Sequence, residues 1–593
     1  MKKKTSKHSS AVKGATWSAD AATGDWNTAA NWSDGAVPTK TATFGASKEH
    51  DVTFAADSEA TVGAIAFEGS APGFTFTFAA PAPSGPALTL DGDGIAHASG
   101  SPQRFVVASS AASCEQPQLK FARSASAGNA RTFYDVGPAS AAAAGGGVIG
   151  FHDTSGAGSA SFTVTTGAGT PAKESTVGGE VSFHDQASAQ HARFTIYGST
   201  STTDGDTFGN AVFHDDAQAG HARFTNIGGT VSEGDGGNTQ FYDDADAAHG
   251  WFHNEGGSVA KANGGDVAFD GTASAGHGQF HNYAATADGA YGGVTSFNNN
   301  PPALAKLTAG ASAGRGHFTN YGATEAGAGG GHTSFSAKYG ACTADHGTFV
   351  NEGSAVAGEA SQAGHTVFSI SLPQKSAWVP DAGKATFWNH PGTAEGAPGG
   401  STQFTVYTDK GSKATVKNGP SAAKGTFHNL GATTEGALGG RTLFGGTGTA
   451  AKGTLVAYGG SHGGEGGSIV FADASTGGTA TVRLHGNGTL DVSGHALPSL
   501  AVGDLETSGG HVKTRLGTDV TTVVVSGRLV LDGAPLVFDF VAGKGFAAGN
   551  TYTILKAKSV KKLAADRFSG SSLGGSKPTF TVEGDELRVT FAK

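Results

Sequence analysis

The amino-acid sequence predicts an all-β protein: an elongated right-handed parallel β-helix (β-solenoid) with capping segments at both ends. Three observations predict this fold: an internal repeat of 28–32 residues, two phenylalanine positions that recur within it, and glycine every few residues. Repeats of this length are typical of stacked architectures, in which each unit buries its apolar side chains only against its neighbours. The crossover rule for parallel strands gives the right-handed sense.

Composition excludes several other classes of protein. The 593-residue chain contains 96 glycines and 36 phenylalanines, and charged residues make up 15%. Disordered chains lack aromatic residues and carry high net charge, whereas the formal net charge here is only −10. No nucleic-acid partner is expected, because the sequence has no basic stripe. No apolar stretch is long enough for a membrane helix, so no membrane span is expected.

The repeat is visible from Gly178 onwards, in segments such as GGEVSFHDQASAQHARFTIYG and GNAVFHDDAQAGHARFTNIGG. Its pattern is roughly G-G-x-x-x-F-x-D-x-A-x-A-G-H-x-x-F-x-N, followed by a variable loop. The two phenylalanines are 11 residues apart in five successive units, and later units have longer inner segments. The predicted structural ladder consists of the pairs Phe151/Phe162, Phe183/Phe194, Phe213/Phe224, Phe241/Phe252 and Phe269/Phe280.

Each unit is expected to hold two short strands joined by a tight turn of alanine and glycine. Around Phe213, Ala211 and Phe213 alternate with Val212 and His214, which is the period of a strand. No apolar set recurs every three or four residues over a helical length, so helix is not expected. Stacked units would place phenylalanine above phenylalanine at about 4.8 Å. A third strand in the variable loop remains an alternative.

The pattern changes along the chain and predicts four segments. They are a basic tail (1–14), a Trp-rich N-terminal cap with the first coils (15–100), the Phe/Gly repeat solenoid (101–490) and β-rich C-terminal coils with a cap (491–593). Trp17, Trp26 and Trp32 are expected to cover the first coil, because terminal repeats need a different outer face. The start, MKKKTSKHSS, resembles the basic region of a signal peptide without its apolar region, and a solvated arm is the alternative.

The two ends of the chain carry a family resemblance. The spacing W-x8-W-x5-W with NTAANWSDGAVP near the start resembles bacterial autotransporter-associated β-strand repeat proteins. The same holds for GRLVLDGAPLVFDFVAGKGFAAGNTYTILKAKSV and DELRVTFA near the end, and the Gly/Phe repeats between them are similar in character. This resemblance implies a passenger-type β-helix that is secreted or exposed on the cell surface.

Titratable residues recur at fixed positions of the repeat. The recurrent histidines are His152, His184 and His214 at one position and His191, His221, His249 and His277 at another. A metal could bridge such ladders, but a polar ladder between coils is the preferred interpretation. Repeated His–Asp dyads do not form the unique constellation that catalysis needs, so no catalytic, cofactor-binding or metal site is expected.

Other recurrent polar residues are given structural interpretations. The aspartates are expected to form Asx turns at coil corners, and the asparagines from Asn226 to Asn429 are expected to form a ladder. The two cysteines, Cys114 and Cys342, are far apart in the sequence, and their pairing is left open.

The predicted function is structural and non-enzymatic: an exported β-solenoid located extracellularly or on the bacterial cell surface. Self-association into a homo-oligomer, filament or matrix is expected, because solenoid ends and faces offer pairing edges and contacts that do not close make fibres. The alternative is an adhesin or carbohydrate-binding passenger that contacts surface glycans or host cells through the loops 284–292 and 322–330. A polysaccharide-degrading β-helix enzyme is a third, weaker possibility.

Overall fold

The structure is a computed structural model that describes most of the chain. The described residues are 14–55, 58–78, 87–109, 118–138, 146–166, 178–200, 207–298, 310–337, 341–371, 378–407, 418–558 and 564–593. The expected basic tail, apart from its last residue, and Cys114 lie outside them. The chain divides into two compact units, Met1–Thr225 with Gly237–Thr239, and Asn226–Gly236 with Gln240–Lys593.

Both units are all-β, and the predicted parallel β-solenoid is confirmed. The first sixteen strands are β1 (Ala15–Thr16), β2 (Thr41–Phe44), β3 (Asp51–Phe54), β4 (Ala60–Phe67), β5 (Thr75–Phe78), β6 (Leu88–His97), β7 (Gln103–Ser109), β8 (Gln118–Phe121), β9 (Thr132–Pro138), β10 (Val148–Phe151), β11 (Ser161–Val164), β12 (Glu180–Phe183), β13 (Arg193–Ile196), β14 (Asn210–Phe213), β15 (Arg223–Asn226) and β16 (Asn238–Phe241).

The second unit continues with strands of similar length and ends with longer ones. They are β17 (Trp251–Asn254), β18 (Asp266–Phe269), β19 (Gln279–Asn282), β20 (Val294–Asn298), β21 (His317–Asn320), β22 (His332–Ser336), β23 (Thr348–Asn351), β24 (His365–Ser371), β25 (Thr386–Asn389), β26 (Ser401–Tyr407), β27 (Thr426–Asn429), β28 (Arg441–Phe444), β29 (Thr454–Ala457), β30 (Ser468–Asp473), β31 (Thr481–His495), β32 (Ser499–Val502), β33 (Asp504–Leu516), β34 (Thr522–Val525), β35 (Leu529–Asp532), β36 (Leu536–Ala542), β37 (Thr551–Ala557), β38 (Phe568–Gly570), β39 (Pro578–Glu583) and β40 (Glu586–Phe591). The helices of the described residues are single 3₁₀ turns at Ala29–Asn31, Ala360–Gln362 and Ala565–Arg567.

Each coil contributes two strands, and each strand pairs in parallel with the equivalent strand of the next coil. In the first unit, β10 lies between β8 and β12, so that Phe151 is opposite Phe121 and Phe183. β11 lies between β9 and β13 in the same way. The same arrangement recurs in the second unit, where β19 lies between β17 and β21. In-register pairing therefore stacks like residues along each unit.

The turn between the two strands of a coil forms a third line of contact. In the first unit, single-residue parallel bridges join Ser126 to Gly156 and Gly156 to Ser188. Alanines on either side of the bridge, such as Ala187 and Ala189, are fully buried. Their small side chains fill the corner, so the expected tight turn is itself part of the core. The alternative of a strand in the variable loop is wrong for the described loops 255–265 and 283–293, which contain none.

The loops that follow the second strand stack on one another in the second unit. Backbone hydrogen bonds join the loops: Gly257 N–H donates to Tyr291 O at 2.9 Å, and Ala285 N–H donates to Gly329 O at 2.8 Å. We call the stacked loops 255–264, 283–292, 321–330, 352–363, 390–399, 430–439 and 458–466 the outer lobe. A small core of buried alanines, namely Ala285, Ala290, Ala323 and Ala328, holds part of it together. The loops are nearly constant in length, so length variation in this unit lies between the strands of a coil.

Both chain ends of the solenoid differ from its coils. Trp17, Trp26 and Trp32 are buried, and Trp26 stacks on Phe54 of the first coil with ring centroids 5.1 Å apart. The C-terminal end of the second unit carries a separate five-stranded sheet in the order β32-β34-β37-β40-β39. In this sheet, β40 is antiparallel to both β37 and β39. The parallel stacking therefore ends in an antiparallel hairpin.

Candidate functional site

In each unit the predicted phenylalanines form two columns of stacked rings. Phe151, Phe162, Phe183, Phe194, Phe213 and Phe224 in the first unit, and Phe241, Phe252, Phe269 and Phe280 in the second, are all at most 1% exposed. Within a column the rings are parallel, as for Phe151 and Phe183 with centroids 4.7 Å apart. Between columns they meet edge to face, as for Phe183 and Phe194 at 6.1 Å and 75°. The structure thus places these residues in the core, away from any surface site.

A row of buried asparagines runs through the second unit beside the second phenylalanine column. It consists of Asn226, Asn254, Asn282, Asn320, Asn351, Asn389 and Asn429, all 0% exposed. At each step one Nδ2 donates to the Oδ1 of the next asparagine at 2.8 Å. From Thr295 onwards a threonine Oγ1 also donates to each Oδ1, at 2.9–3.0 Å. We call this row the Asn–Thr ladder, and it satisfies polar groups whose burial would otherwise be costly.

The aspartates at the coil corners also bond from coil to coil. Asp153, Asp185 and Asp215 have φ values of 58°, 58° and 55°, a region that Asp tolerates better than most residues. The backbone N–H of Asp153 donates to Asp185 Oδ2 at 2.9 Å, and that of Asp185 donates to Asp215 Oδ2 at 2.9 Å. The sequence predicts Asx turns here, whereas these carboxylates reach the backbone of the preceding coil.

The recurrent histidines stack on the surface rather than converging on a point. Ring centroids are 4.7 Å apart for His152 and His184, and 5.2 Å apart for His249 and His277. Burial lowers the pKa of His152 and His184, which favours the neutral imidazole in both. Within the described part of the chain, no group of three His, Cys, Asp or Glu side chains could hold a metal ion.

Cys342 occupies a corner position that alanine fills in the preceding coils of the second unit. Its side chain is 0% exposed, like that of Ala311 in the preceding coil, and burial raises the pKa of its thiol. A protonated, inaccessible thiol is unreactive. Cys342 therefore packs as a small apolar residue of the core.

The candidate functional site is a groove in the second unit whose floor is the outward face of β28, β30, β31, β33 and β36. One row of side chains along this floor is Arg441, Ser468, Thr489 and His511, and the adjacent row is Val470, Asp491, Lys513 and Asp539. Neighbouring strands lie about 4.8 Å apart, so each row offers one side chain per coil over roughly 14 Å. The floor therefore presents a line of polar groups parallel to the stacking direction.

The wall of the groove is the last part of the outer lobe. It is formed by Ala360, Pro398, Gly399, Leu438, Gly439, Glu465 and Gly466, followed by Asn487. The groove has a volume of about 520 Å³, within the range of small-molecule sites.

A change in loop length opens the groove. The last loop of the outer lobe, 458–466, is followed one coil later by the short segment HGNG at 485–488, which lies inside β31. The chain turns through Gly486 at φ 59°, and the register with β33 shifts between Gly486 and Thr489. Because the lobe stops while the parallel floor continues, the floor becomes accessible beyond this point.

The charges on the floor of the groove are paired, with one exception. Lys513 Nζ lies 3.2 Å from Asp491 Oδ2, and His511 Nδ1 lies 2.7 Å from Asp539 Oδ2. The Nε of half-buried Arg441 is inaccessible to solvent and has no hydrogen-bond partner among the described residues. Burial lowers the pKa of Arg441 and nearby Asp491 opposes this, yet a guanidinium stays charged in proteins. A ligand would therefore bind Arg441 through its terminal Nη atoms, which form no ion pair among the described residues.

None of the groove residues is predicted from the sequence. Their signal is an outward polar residue at the same position of successive strands, as in SIV, TLD and HVK at 468–470, 489–491 and 511–513. Reading it requires the strand register across the Gly486 shift, which the Phe repeat does not supply. The loops predicted as a contact surface, 284–292 and 322–330, lie in the outer lobe, where Tyr291 is 55% exposed.

Comparison with known proteins adds no assignment. No family model matches the chain, and no curated protein matches it. None of the helices among the described residues has the length and apolar character needed to cross a membrane.

Proposed function

We propose that the protein is a non-enzymatic structural β-solenoid, exported to the extracellular space or the bacterial cell surface. The observation that carries the proposal is the Asn–Thr ladder, in which six consecutive hydrogen bonds between asparagine side-chain amides have the same length. Such a network rigidifies a core when every member is satisfied. Side chains that recur from coil to coil, as in this ladder, stabilise the scaffold, whereas a catalytic site needs a unique arrangement. The resemblance of the chain ends to autotransporter-associated passengers supports the exported location.

Location and lack of catalysis are tested on the producing cells and on the purified protein. Antibodies should label the protein on intact cells, and external protease should remove that label. Detection only after lysis would contradict export. Incubation of the purified protein with neutral and acidic polysaccharides should release no new reducing or unsaturated ends, and sustained release would instead support the enzyme alternative.

Self-association is proposed to use the faces of the solenoid rather than strand pairing at its C-terminal end. One edge strand of the terminal sheet, β39, starts at Pro578, and a proline on an edge strand disfavours pairing with another chain. Electron microscopy of the purified chain at several concentrations should show particles joined side to side. Monodisperse particles at every concentration would contradict self-association, and fibres lost on adding residues after Lys593 would contradict the lateral arrangement.

The second candidate function is an adhesin or carbohydrate-binding passenger, and the groove is the observation that favours it. Deleting the loops 284–292 and 322–330 would also remove the buried alanines of the outer lobe. A cleaner test of these loops is Tyr291→Ser, which removes an exposed ring and leaves the packing intact. Reduced binding to host cells or a glycan array would support contact through this loop, and unchanged binding would exclude the ring as a contact.

A further inference from the structure

We propose that the groove between the outer lobe and the strands β28, β30, β31, β33 and β36 binds an extended acidic saccharide. In this arrangement the Arg441 guanidinium holds a carboxylate of the ligand. The proposal adds a ligand site to the structural role and does not depend on self-association or location. It can therefore fail while the scaffold proposal stands, and the reverse is also true.

The anionic character of the ligand follows from Arg441. Lys513 and His511 are bonded to Asp491 and Asp539, so their charges are compensated within the protein. The Arg441 guanidinium forms no ion pair in the described part of the chain, and its side chain lines the groove. A planar guanidinium binds a carboxylate through two parallel hydrogen bonds. Arg441 is therefore the floor cation that has no carboxylate bonded to it among the described residues.

The extended character of the ligand follows from the register of the floor. Arg441, Ser468, Thr489 and His511 are aligned on four successive strands. Ser468 and Thr489 carry hydroxyl groups, and His511 keeps Nε2 for a ligand because Nδ1 is bonded to Asp539. One polar group per coil, at about 4.8 Å, suits a polymer that offers hydroxyl groups at short, regular intervals.

A saccharide fits the groove better than a peptide. The floor is the face of a paired parallel sheet, so its backbone groups are engaged and cannot bind a peptide as an added strand. The wall is mostly glycine, proline and alanine, which form no deep pocket for an apolar anchor. Glu465 on the wall and Asp491 on the floor add acceptors for hydroxyl groups. Polar side chains on both surfaces match a polyhydroxylated chain.

The test is calorimetric titration of the full chain with hexagalacturonate, and with maltohexaose as the neutral probe. Hexagalacturonate should bind wild type, and binding should weaken as salt is raised because charge pairing is screened. Arg441→Gln should weaken it by about tenfold or more, the value of a charge-assisted hydrogen bond. The matched control Arg315→Gln alters an exposed arginine on another part of the unit and should leave affinity unchanged.

A second variant keeps the proposal falsifiable if Arg441→Gln fails to fold. Ser468→Tyr places a bulky side chain on the floor, outside the core, and should abolish binding with an unchanged circular dichroism spectrum. Three results would overturn the proposal: no binding of hexagalacturonate to wild type, equal binding of both probes, or affinity that survives both Arg441→Gln and Ser468→Tyr. Equal binding of the two probes would show a neutral saccharide site instead.

Discussion

Replacing one asparagine in the middle of the Asn–Thr ladder should destabilise the coils around it. Asn351 accepts bonds from Asn320 Nδ2 at 2.8 Å and Thr366 Oγ1 at 3.0 Å. Its own Nδ2 donates to Asn389 Oδ1 at 2.8 Å and lies 3.3 Å from Thr402 Oγ1. Asn351→Leu keeps the number of side-chain heavy atoms and the branch at Cγ, and it removes all of these contacts.

The magnitude follows from what each neighbour loses. Asn320 Nδ2 still reaches Thr366 Oγ1 at 3.3 Å, and Asn389 Oδ1 still accepts from Thr402 Oγ1 at 3.0 Å. Two strong hydrogen bonds between side-chain amides are therefore lost, and the amides of Asn320 and Asn389 keep only part of their hydrogen bonding. At about 1 kcal/mol for a lost bond and about 1–3 kcal/mol for an orphaned buried group, the cost is about 2–5 kcal/mol.

Hydrogen exchange measured by mass spectrometry is the suitable assay, because stability in repeat proteins is largely local. Amides of β21, β23 and β25 should exchange about 30-fold to several thousand-fold faster, the equivalent of that free energy. The control Val350→Thr is isosteric and lies on the outward side of β23, so it should cost less than about 0.5 kcal/mol. Equal exchange in Asn351→Leu and Val350→Thr would refute the stabilising role of the ladder.

Three further results are expected. Phe349→Ala should lower the free energy of unfolding by about 3–5 kcal/mol in a denaturant titration. The Phe349 ring stacks between those of Phe318 and Phe387, with centroids 4.6 and 4.8 Å away, and a loss under about 1 kcal/mol would contradict that packing. Burial, with the charge of a nearby aspartate, raises the pKa of Asp266 from 3.8 to about 7, so the free energy of unfolding should fall as pH rises from 4 through 7. Asp266→Asn should remove this fall, and a variant with the same pH profile as wild type would contradict the assignment to Asp266. Trp26→Ala should increase binding of a hydrophobic dye and speed exchange in β2 and β3, because the ring covers the first coil; unchanged exchange would contradict its capping role.

The fold was predictable because the repeat fixes both the strands of each coil and their register with the next coil. A Phe pair with constant spacing defines two strands per coil, and in-register stacking follows once like residues must lie above like. The corner was harder to predict, because a bridge of one residue such as Ser188 carries no strand pattern. The outer lobe was missed for a related reason. Its loops are joined by single backbone hydrogen bonds, as between Ala285 and Gly329. A glycine-rich sequence looks the same whether its loop stacks in this way or is irregular.

The candidate site was not predictable from the repeat, because it lies where the repeat stops. The recurrent phenylalanines and asparagines of the described residues face the core, and the recurrent histidines stack on the surface outside the groove. Arg441 has no repeated counterpart: its equivalents in the adjacent coils are Ser401 and Ser468. A single cation among hydroxyl groups is weak as a sequence pattern, and its significance comes from the lack of an ion pair to Arg441 among the described residues.

The same local change explains both the end of the ladder and the opening of the groove. After Asn429 the ladder position is taken by Ala457 and then Leu484, so the core becomes apolar and no longer needs a threonine partner. In the same coils the outer loop shortens from 458–466 to 485–488, and β31 extends over 15 residues. Inserting a loop of outer-lobe length at 485–488 should therefore cover Thr489 and close the groove to hexagalacturonate, while leaving the Asn–Thr ladder protected from exchange. Retained binding in that variant would show that the end of the lobe does not create the site.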